Sequence, residues 1–357
     1  MILNGGYDWM KDNEKKTTGK NIGKSVDVII PTYRPSVRFA DIIERIKKQT
    51  VNVNNIIILN TVNMTANEAP IRKSIVNFQD EKRRIRYNGI QAEDDSIITF
   101  EDDEDTKISI FNINKEDFDH GATRDYGAAL SDADFIVLMS QDAVPLDKRM
   151  LEHLIEPFED PVIAASYARQ FPAKDADVLE KFTKHYFYPE VSKVKSGADI
   201  KDMGMHTYDC SNTCAAYRKS IYNELGGFVV RAIYNEDVLM AAKIINAGYK
   251  VAYQAQARVR NNNVHTNMQT FQRSFDLGVS VRQFRTFFKV TKSGLDSLDR
   301  IEKTTKYLIR TGKAYYLPRM YIKEMLDWLG YTAGYNYEKI PNLLVKKLSS
   351  NKDFWNR

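Results

Sequence analysis

The stretch VDVIIPTYRPSVRFADIIERIKKQTVNVNNIIILN, residues 26–60, decides the fold class. It opens on a short apolar run, Val26 to Ile30, halted by Pro31, which has no N–H to offer a ladder. Phe39, Ile42, Ile43 and Ile46 then fall at helical spacing, and Ile56 to Leu59 resume as a buried strand. Strand, helix, strand in that order begins a βαβ unit. A second unit follows, with ISIFNI (108–113) as strand, ATRDYGAAL (122–130) as a short helix of small residues, and FIVLM (135–139) as strand. This alternation predicts an α/β fold whose mostly parallel central sheet is covered by helices on both faces. Ligands in such sheets bind at the carboxyl ends of the strands. The polar residues just past each apolar run are therefore the candidates: Thr32 with Tyr33, Asn60, the His120 to Arg124 group, and Gln141 with Asp142.

Composition agrees with a globular chain long enough for one large or two ordinary domains. Of 357 residues, 43% are apolar and 28% charged, with 17 Gly and 10 Pro, which excludes collagen-like, disordered and disulfide-stapled classes. Apolar runs are strand-sized, far short of the roughly 20 residues of a membrane span. The N-terminus, MILNGGYDWMKDNEKK, has no apolar core followed by a small-residue cleavage site, so a cytoplasmic protein is expected. Cys210 and Cys214, four apart, make neither a disulfide framework nor a four-thiolate zinc site and read as ordinary reduced thiols.

Charge is unevenly spread. Residues 258–357 hold 19 Lys/Arg against 8 Asp/Glu, while the overall balance is only +5. This basic stretch carries Phe287, Phe288, Tyr307, Tyr315, Tyr316, Tyr321, Trp328, Tyr331, Tyr335, Tyr337 and Trp355, a pattern that fits anionic lipid head groups or an anionic substrate. The alternative is a solvated helical surface with core aromatics. Residues 63–107 carry a cluster of acids in EDDSIITFEDDED (93–105) without the spacing of an EF-hand loop, and read as a solvated surface insertion.

Three further positions carry chemistry. FIVLM delivers Asp142 to the exposed end of a buried strand, where a divalent cation beside a diphosphate needs a carboxylate; the plain reading is turn chemistry. In YNEDVLMAAKIINAGY (234–249), Val238, Ala241, Ala242 and Ile245 mark a helix, Asn235 its N-cap, and Glu236 with Asp237 its first turn, where the dipole favours carboxylates. A carboxylate in a cleft can take a proton from an attacking hydroxyl. His265, ahead of a helix with Met268, Phe271, Phe275 and Val279, is a candidate metal ligand or an ordinary surface residue. Neither His120 nor His265 has zinc-hydrolase spacing, and there is no P-loop and no G-x-G-x-x-G turn.

Taken in chain order, VDVIIPTYRP (26–35), FDHGATRDYGAAL (118–130), FIVLMSQDAVP (135–145), SNTCAAYRKSIYNELGGF (211–228), YNEDVLMAAKIINAGY (234–249) and VHTNMQTFQRSFDLG (264–278) resemble the family 2 glycosyltransferases with a GT-A fold. The resemblance covers roughly residues 25–290, after an N-terminal extension (1–24) and before a basic, aromatic-rich helical C-terminal region (291–357). FDHGATRDYGA, SQDAVP and the terminal LGYTAGYNYEKIPNLLVKKLS look like the bacterial rhamnosyltransferases that use dTDP-L-rhamnose.

The resemblance implies roles. Pro31, Thr32 and Tyr33 would line base and ribose, with Asn60 where the family usually has an aspartate; His120, Gly121 and Arg124 would complete the nucleotide-sugar pocket. Asp142 takes the place of the family's acidic metal motif, here Gln-Asp-Ala, so that Gln141 would contact sugar or ribose. His265 would approach Mg²⁺ or Mn²⁺ and the diphosphate, and Asp237 matches the catalytic base. Ser211, Asn212, Gly227, Phe228 and Glu236 would shape the acceptor side. The implied activity is inverting transfer of L-rhamnose from dTDP-β-L-rhamnose to a hydroxyl of a bacterial cell-surface polysaccharide precursor, lipid-linked and met at the inner face of the membrane. A UDP-hexose or UDP-N-acetylhexosamine transferase and a non-catalytic nucleotide-sugar or glycan-binding protein are the alternatives. No nucleic-acid reader motif occurs, and a homo-oligomer is left open.

Overall fold

The computed structural model describes residues 23–63, 89–102, 105–261, 266–289 and 295–356. Its first unit is β1 (Val26–Thr32), α1 (Phe39–Lys47) and β2 (Asn55–Val62). A hairpin of β3 (Gly89–Gln91) and β4 (Ile97–Thr99) precedes β5 (Lys107–Asn114), and α2 (His120–Ala129) leads to β6 (Phe135–Met139) and the short β7 (Ala143–Pro145). Next come α3 (Met150–Ile155), β8 (Ile163–Phe171), α4 (Val178–Phe187), β9 (Lys193–Lys195) and α5 (Ile200–Met203). These are followed by β10 (Cys214–Arg218), α6 (Lys219–Glu224), α7 (Glu236–Asn246) and β11 (Lys250–Asn261). The described chain ends in α8 (Asn267–Gln283), α9 (Leu295–Arg310), α10 (Leu317–Tyr335) and α11 (Asn342–Leu348).

Strand order is β5-β2-β1-β6-β10-β8-β11-β7, with β9 sharing the outer edge of β11. β5, β2, β1 and β6 run parallel, as the repeated units predict. β10 enters between β6 and β8 antiparallel to both, and β7 and β9 pair antiparallel with β11. The sheet is thus mixed: an apolar run marks a buried strand but carries no sign of its direction.

Successive residues of a strand face opposite sides, so a strand covered on both faces is apolar throughout. Val28, Ile30, Ile56 and Ile58 pack with Phe39, Ile42 and Ile43 of α1 and with α3. Ile29, Ile57, Leu59 and Leu138 face the other layer, with Ala128 of α2, Tyr222 of α6 and Met240 of α7. Every residue of β6 is buried.

The acidic insertion departs from its expected solvated character where it is described. Ile90, Ala92 and Ile98 of the hairpin are buried in the α1 core, and Phe100 meets Phe39 edge-on at 5.9 Å. Glu93 N–H donates to Pro35 O at 3.0 Å, and Asp95 pairs with Arg34. Alternating apolar residues in this acidic stretch give it a buried face, and its acids lie on the other. Residues 64–88, 103 and 104 lie outside the described residues.

In the C-terminal region, α10 packs against α8 at close range: a Cβ on Gly330 or Gly334 would run into the main chain of Phe271 or Phe275. No helix among the described residues is long and apolar enough to cross a membrane.

Candidate active site

The carboxyl ends of β1, β2, β5 and β6 form one edge, where the candidate loops meet. Thr32 Oγ1 donates to Asn60 Oδ1 at 3.3 Å, and Asn60 Nδ2 donates to Asn112 Oδ1 at 2.8 Å. Asn60 is buried in this cross-strand chain and organises the edge; Asn112, its partner, was not visible in sequence because the contact spans strands 52 residues apart. Tyr33 keeps an exposed ring with Lys115 Nζ 5.4 Å from its centroid. Pro31 does not halt the strand as expected: it stands in register with Leu59, and the pairing continues to Thr32 opposite Asn60. Arg34 follows with φ 41°, a left-handed backbone conformation that a non-glycine residue adopts at a cost.

Gln141 bridges two of these loops. Its Oε1 accepts from Tyr33 N–H at 2.8 Å and its Nε2 donates to Tyr33 O at 3.4 Å. The amide ties two loops together, because a side chain with both donor and acceptor matches a peptide group. Asp142 follows it in the turn between β6 and β7, half-buried at the end of β6. His265 lies outside the described residues.

The start of α2 is capped by Asp119, whose Oδ1 accepts from Gly121 N at 3.0 Å and Ala122 N at 2.9 Å. Gly121 is small because the Val229 carbonyl packs on it. His120 is half-buried, and burial holds its pKa below the ordinary imidazole value. Arg124 donates to His120 O at 2.9 Å and pairs with Glu236 Oε1 at 3.2 Å. Its buried Nε has no hydrogen-bond partner, and neither do Thr61 Oγ1 and Ser140 Oγ at the ends of β2 and β6.

Across from α2, Asn235 stands at the N-cap of α7 but in a left-handed conformation, φ 65°, and its side chain makes no capping bond. That turn sets Glu236 and Asp237 side by side. The organiser is Asn212: its Nδ2 donates to Glu236 Oε1 at 3.3 Å, its main-chain N–H to Asp237 Oδ2 at 3.1 Å, and its Oδ1 accepts from Tyr217 OH at 2.8 Å. Val238 N–H donates to Asp237 Oδ1 at 2.8 Å. The chain Tyr217–Asn212–Glu236–Arg124 is continuous, which rigidifies a polar network in a low-dielectric place.

The two carboxyls are driven apart. Burial opposes the Glu236 charge, but the Arg124 guanidinium, with His120 behind it, outweighs burial and holds Glu236 below the ordinary glutamate value. Asp237 is pushed up to about 7, first by burial and then by the negative charge of Glu236. Adjacent carboxyls with opposed shifts are the pattern of one fixed anion and one group able to take a proton near neutral pH.

The acceptor-side expectations divide. Ser211 joins Asn212 on the loop before β10, and its Oγ accepts from Gln170 Nε2 at 2.9 Å, while Lys184 Nζ donates to Gln170 Oε1 at 2.7 Å. That loop is anchored by a buried lysine sequence reasoning missed, Lys195, which donates to Tyr167 OH and His206 O at 3.2 Å. Gly227 and Phe228 instead turn inward. Phe228 is buried against Tyr217 and Tyr222, and its N–H donates to Asp125 Oδ1 at 2.8 Å, a carboxylate that also accepts from Tyr222 OH. Gly227 has φ +62° and lies so close to Asp125 that a Cβ would collide with it. The GGF turn is thus a core closure behind α2; the buried acid at its centre lies over 100 residues away in sequence. Both cysteines are buried thiols, pushed up to about 12 by burial, and inert.

Residues 95–226 match the family described as Glycosyl transferase family 2. The chain is 33% identical over 336 residues to the O-antigen chain rhamnosyltransferase RfbN of Salmonella typhimurium, covering 93% of this chain and 96% of the relative. It is 34% identical over 256 residues to the O-antigen chain rhamnosyltransferase WbaN of Salmonella anatum, covering 70% of this chain and 79% of that one. The fold is similar to that of a mannosyltransferase from Pyrobaculum calidifontis solved with GDP-Man and Mn²⁺, with TM-score 0.52, 12% identity and 88% of each chain covered. With a third of its residues shared across nearly the whole of both chains, and a GT-A sheet edge carrying its buried polar network, the chain belongs to glycosyl transferase family 2 and is a glycosyltransferase.

Proposed function

We propose that the protein transfers L-rhamnose from dTDP-β-L-rhamnose, with inversion, to a hydroxyl of a lipid-linked precursor of a bacterial cell-surface polysaccharide. The observation that carries the reading is Asp237: a carboxyl held by two main-chain N–H groups and tuned to about 7 beside a fixed Glu236–Arg124 pair. The O-antigen rhamnosyltransferase names of the relatives supply the sugar and the acceptor class.

In this mechanism Asp237 accepts the proton of the acceptor hydroxyl as its oxygen bonds to the anomeric carbon, opposite the diphosphate. The bond from that carbon to the phosphate oxygen breaks, dTDP leaves with the electron pair, and the β-linked donor yields an α-L-rhamnoside. Arg124, with a spare buried N–H, would offer positive charge to the departing diphosphate. Thr32, Tyr33 and the Asn60 edge form the nucleotide side, and Ser211 and Asn212 the acceptor side.

The described residues contain no group of three or more His, Cys, Asp or Glu able to cage a metal. A lone carboxylate at Asp142 suits Mg²⁺ or Mn²⁺ that draws most of its shell from phosphate and water. Such an ion, held by Asp142 and on this reading His265, would neutralise the departing diphosphate. The enzyme would work in the cytoplasm, in peripheral contact with the anionic inner face of the membrane.

Calorimetric titration of dTDP-L-rhamnose, UDP-glucose and UDP-N-acetylglucosamine, each with and without Mg²⁺ or Mn²⁺, tests this. Metal-assisted preference for the dTDP donor is the expected result. Preference for a UDP donor overturns the sugar, and binding of none overturns the donor class.

A further inference from the structure

Helix α10 is apolar on its solvent side as well as toward the protein, where Met320, Gly330 and Gly334 are buried. Its exposed positions are Pro318, Arg319, Tyr321, Ile322, Met325, Trp328, Leu329 and Thr332, so Arg319, paired with Asp177 at 2.8 Å, is the one charged residue on the solvent face, while Lys323, Glu324 and Asp327 are half-buried toward the protein. Glu324 meets Arg300 of α9 at 2.6 Å, and Asp327 accepts from Ser274 of α8 at 2.8 Å. The rotation of the helix is locked from behind, where Gly330 and Gly334 sit against the α8 main chain, so the apolar stripe cannot turn inward. Tyr321, Met325 and Trp328 are about half exposed or more, at 49%, 53% and 64%. Val37, Val162 and Val230 stand singly and Leu343 with Leu344 makes a short pair; on α10 large apolar residues recur every three or four residues along one side, which is a contiguous patch.

We infer that this face of α10 inserts into the interfacial layer of an anionic bilayer and is the element that holds the enzyme there. The charge around the stripe selects this occupant. Arg310 precedes α10 and Lys339 and Lys347 follow it, all exposed, whereas Arg319 in its first turn is paired with Asp177 at 2.8 Å. A two-fold mate docked on the stripe would bring the same cations against each other, whereas a leaflet of anionic head groups complements them. Tyr and Trp with aliphatic side chains on one face and cations at its margins is the composition of a helix lying in the interface plane. The assignment divides the basic aromatic region: Tyr331, Tyr335, Tyr337 and Trp355 are half-buried among α8, α10 and α11, while Tyr315, Tyr321 and Trp328 face outward. It deepens the lipid-linked acceptor reading and rests on it only for its purpose; the binding itself needs no donor or acceptor.

The test is flotation of the full chain, without nucleotide sugar, with vesicles of phosphatidylglycerol and phosphatidylethanolamine and with vesicles of phosphatidylcholine alone, for the wild type and the double variant Met325→Glu/Trp328→Glu. The expected result is partition onto the anionic vesicles, reduced at least tenfold in the double variant, with unchanged thermal midpoint and unchanged donor binding by calorimetry. Wild type that does not float, or floats equally well in the variant form, overturns the inference. So does sedimentation equilibrium showing a wild-type dimer that the variant dissociates without altering flotation, which makes a second copy the occupant. If donor titration fails while flotation depends on Met325 and Trp328, the transfer reading falls and the membrane face stands.

Discussion

Around the start of α7, Arg124, Glu236 and Asp237 are charges drawn away from water; along α10, Tyr321, Ile322, Met325 and Trp328 are apolar side chains left in it. Both arrangements cost stability in the free protein, since burying charge and exposing apolar surface are each unfavourable. Each is held in place by a rigid support: the Tyr217–Asn212 chain for the carboxyls, the glycine contacts with α8 for the helix. Where local choices conflict with stability and the surroundings enforce them, function is the expected reason. The difference lies in what resolves the cost. At α7 the charges satisfy one another within the chain, leaving a single carboxyl poised to titrate. At α10 nothing within the described residues covers the stripe.

The largest effect that would break the comparison comes from Asp237→Asn, which removes the proposed proton acceptor but keeps the side chain's shape. Turnover with acceptor should fall by about 10²- to 10⁴-fold, with donor affinity by calorimetry unchanged. Retained turnover would make the site a structural charge cluster. Next is Arg124→Met. It leaves Glu236 as an unpaired buried anion, a loss of about 3–5 kcal/mol for breaking such a pair, read as a lower midpoint in urea denaturation. Smaller again is Gly334→Ala, which sets a methyl against the Phe275 main chain. Overpacking of this kind costs about 1–3 kcal/mol, seen in thermal unfolding, while donor binding stays as it was.

These residues differ in how far the sequence revealed them. β1, β2 and β6 were legible because a strand covered on both faces is apolar throughout, and α1 because Phe39, Ile42, Ile43 and Ile46 return at helical spacing. The place of Glu236 and Asp237 in the first turn of α7 was legible from Asn235 and the helical spacing behind it, while only the family resemblance singled out Asp237. Three things were not. The direction of β10 depends on the loop that delivers it. The inward turn of Gly227 and Phe228 depends on Asp125, a partner in another element. The orientation of α10 depends on the glycines that meet α8: with apolar residues on several sides of the helix, periodicity does not say which side docks. Long-range partners decided each case, and residue types alone do not name them. Gln141 is the same lesson in miniature, an amide whose partner is a peptide group 108 residues away.

The finest test of the α7 pair is the pH dependence of turnover in Glu236→Gln. In the proposed mechanism Asp237 must lose its proton before it can accept one, so wild-type kcat/KM should rise with pH through about 7 and level off above it. Burial raises the Asp237 pKa first, and the neighbouring Glu236 anion raises it further. Replacing Glu236 by Gln removes that like charge and frees the Arg124 cation from its partner. Both changes favour ionised Asp237, so the acid limb should move to lower pH, and with one carboxyl left it should follow a single titration. A Glu236 that merely supports the loop gives a different result: activity falls at every pH and the limb stays where it was. The direction of that shift therefore separates a tuned pair from a packed one.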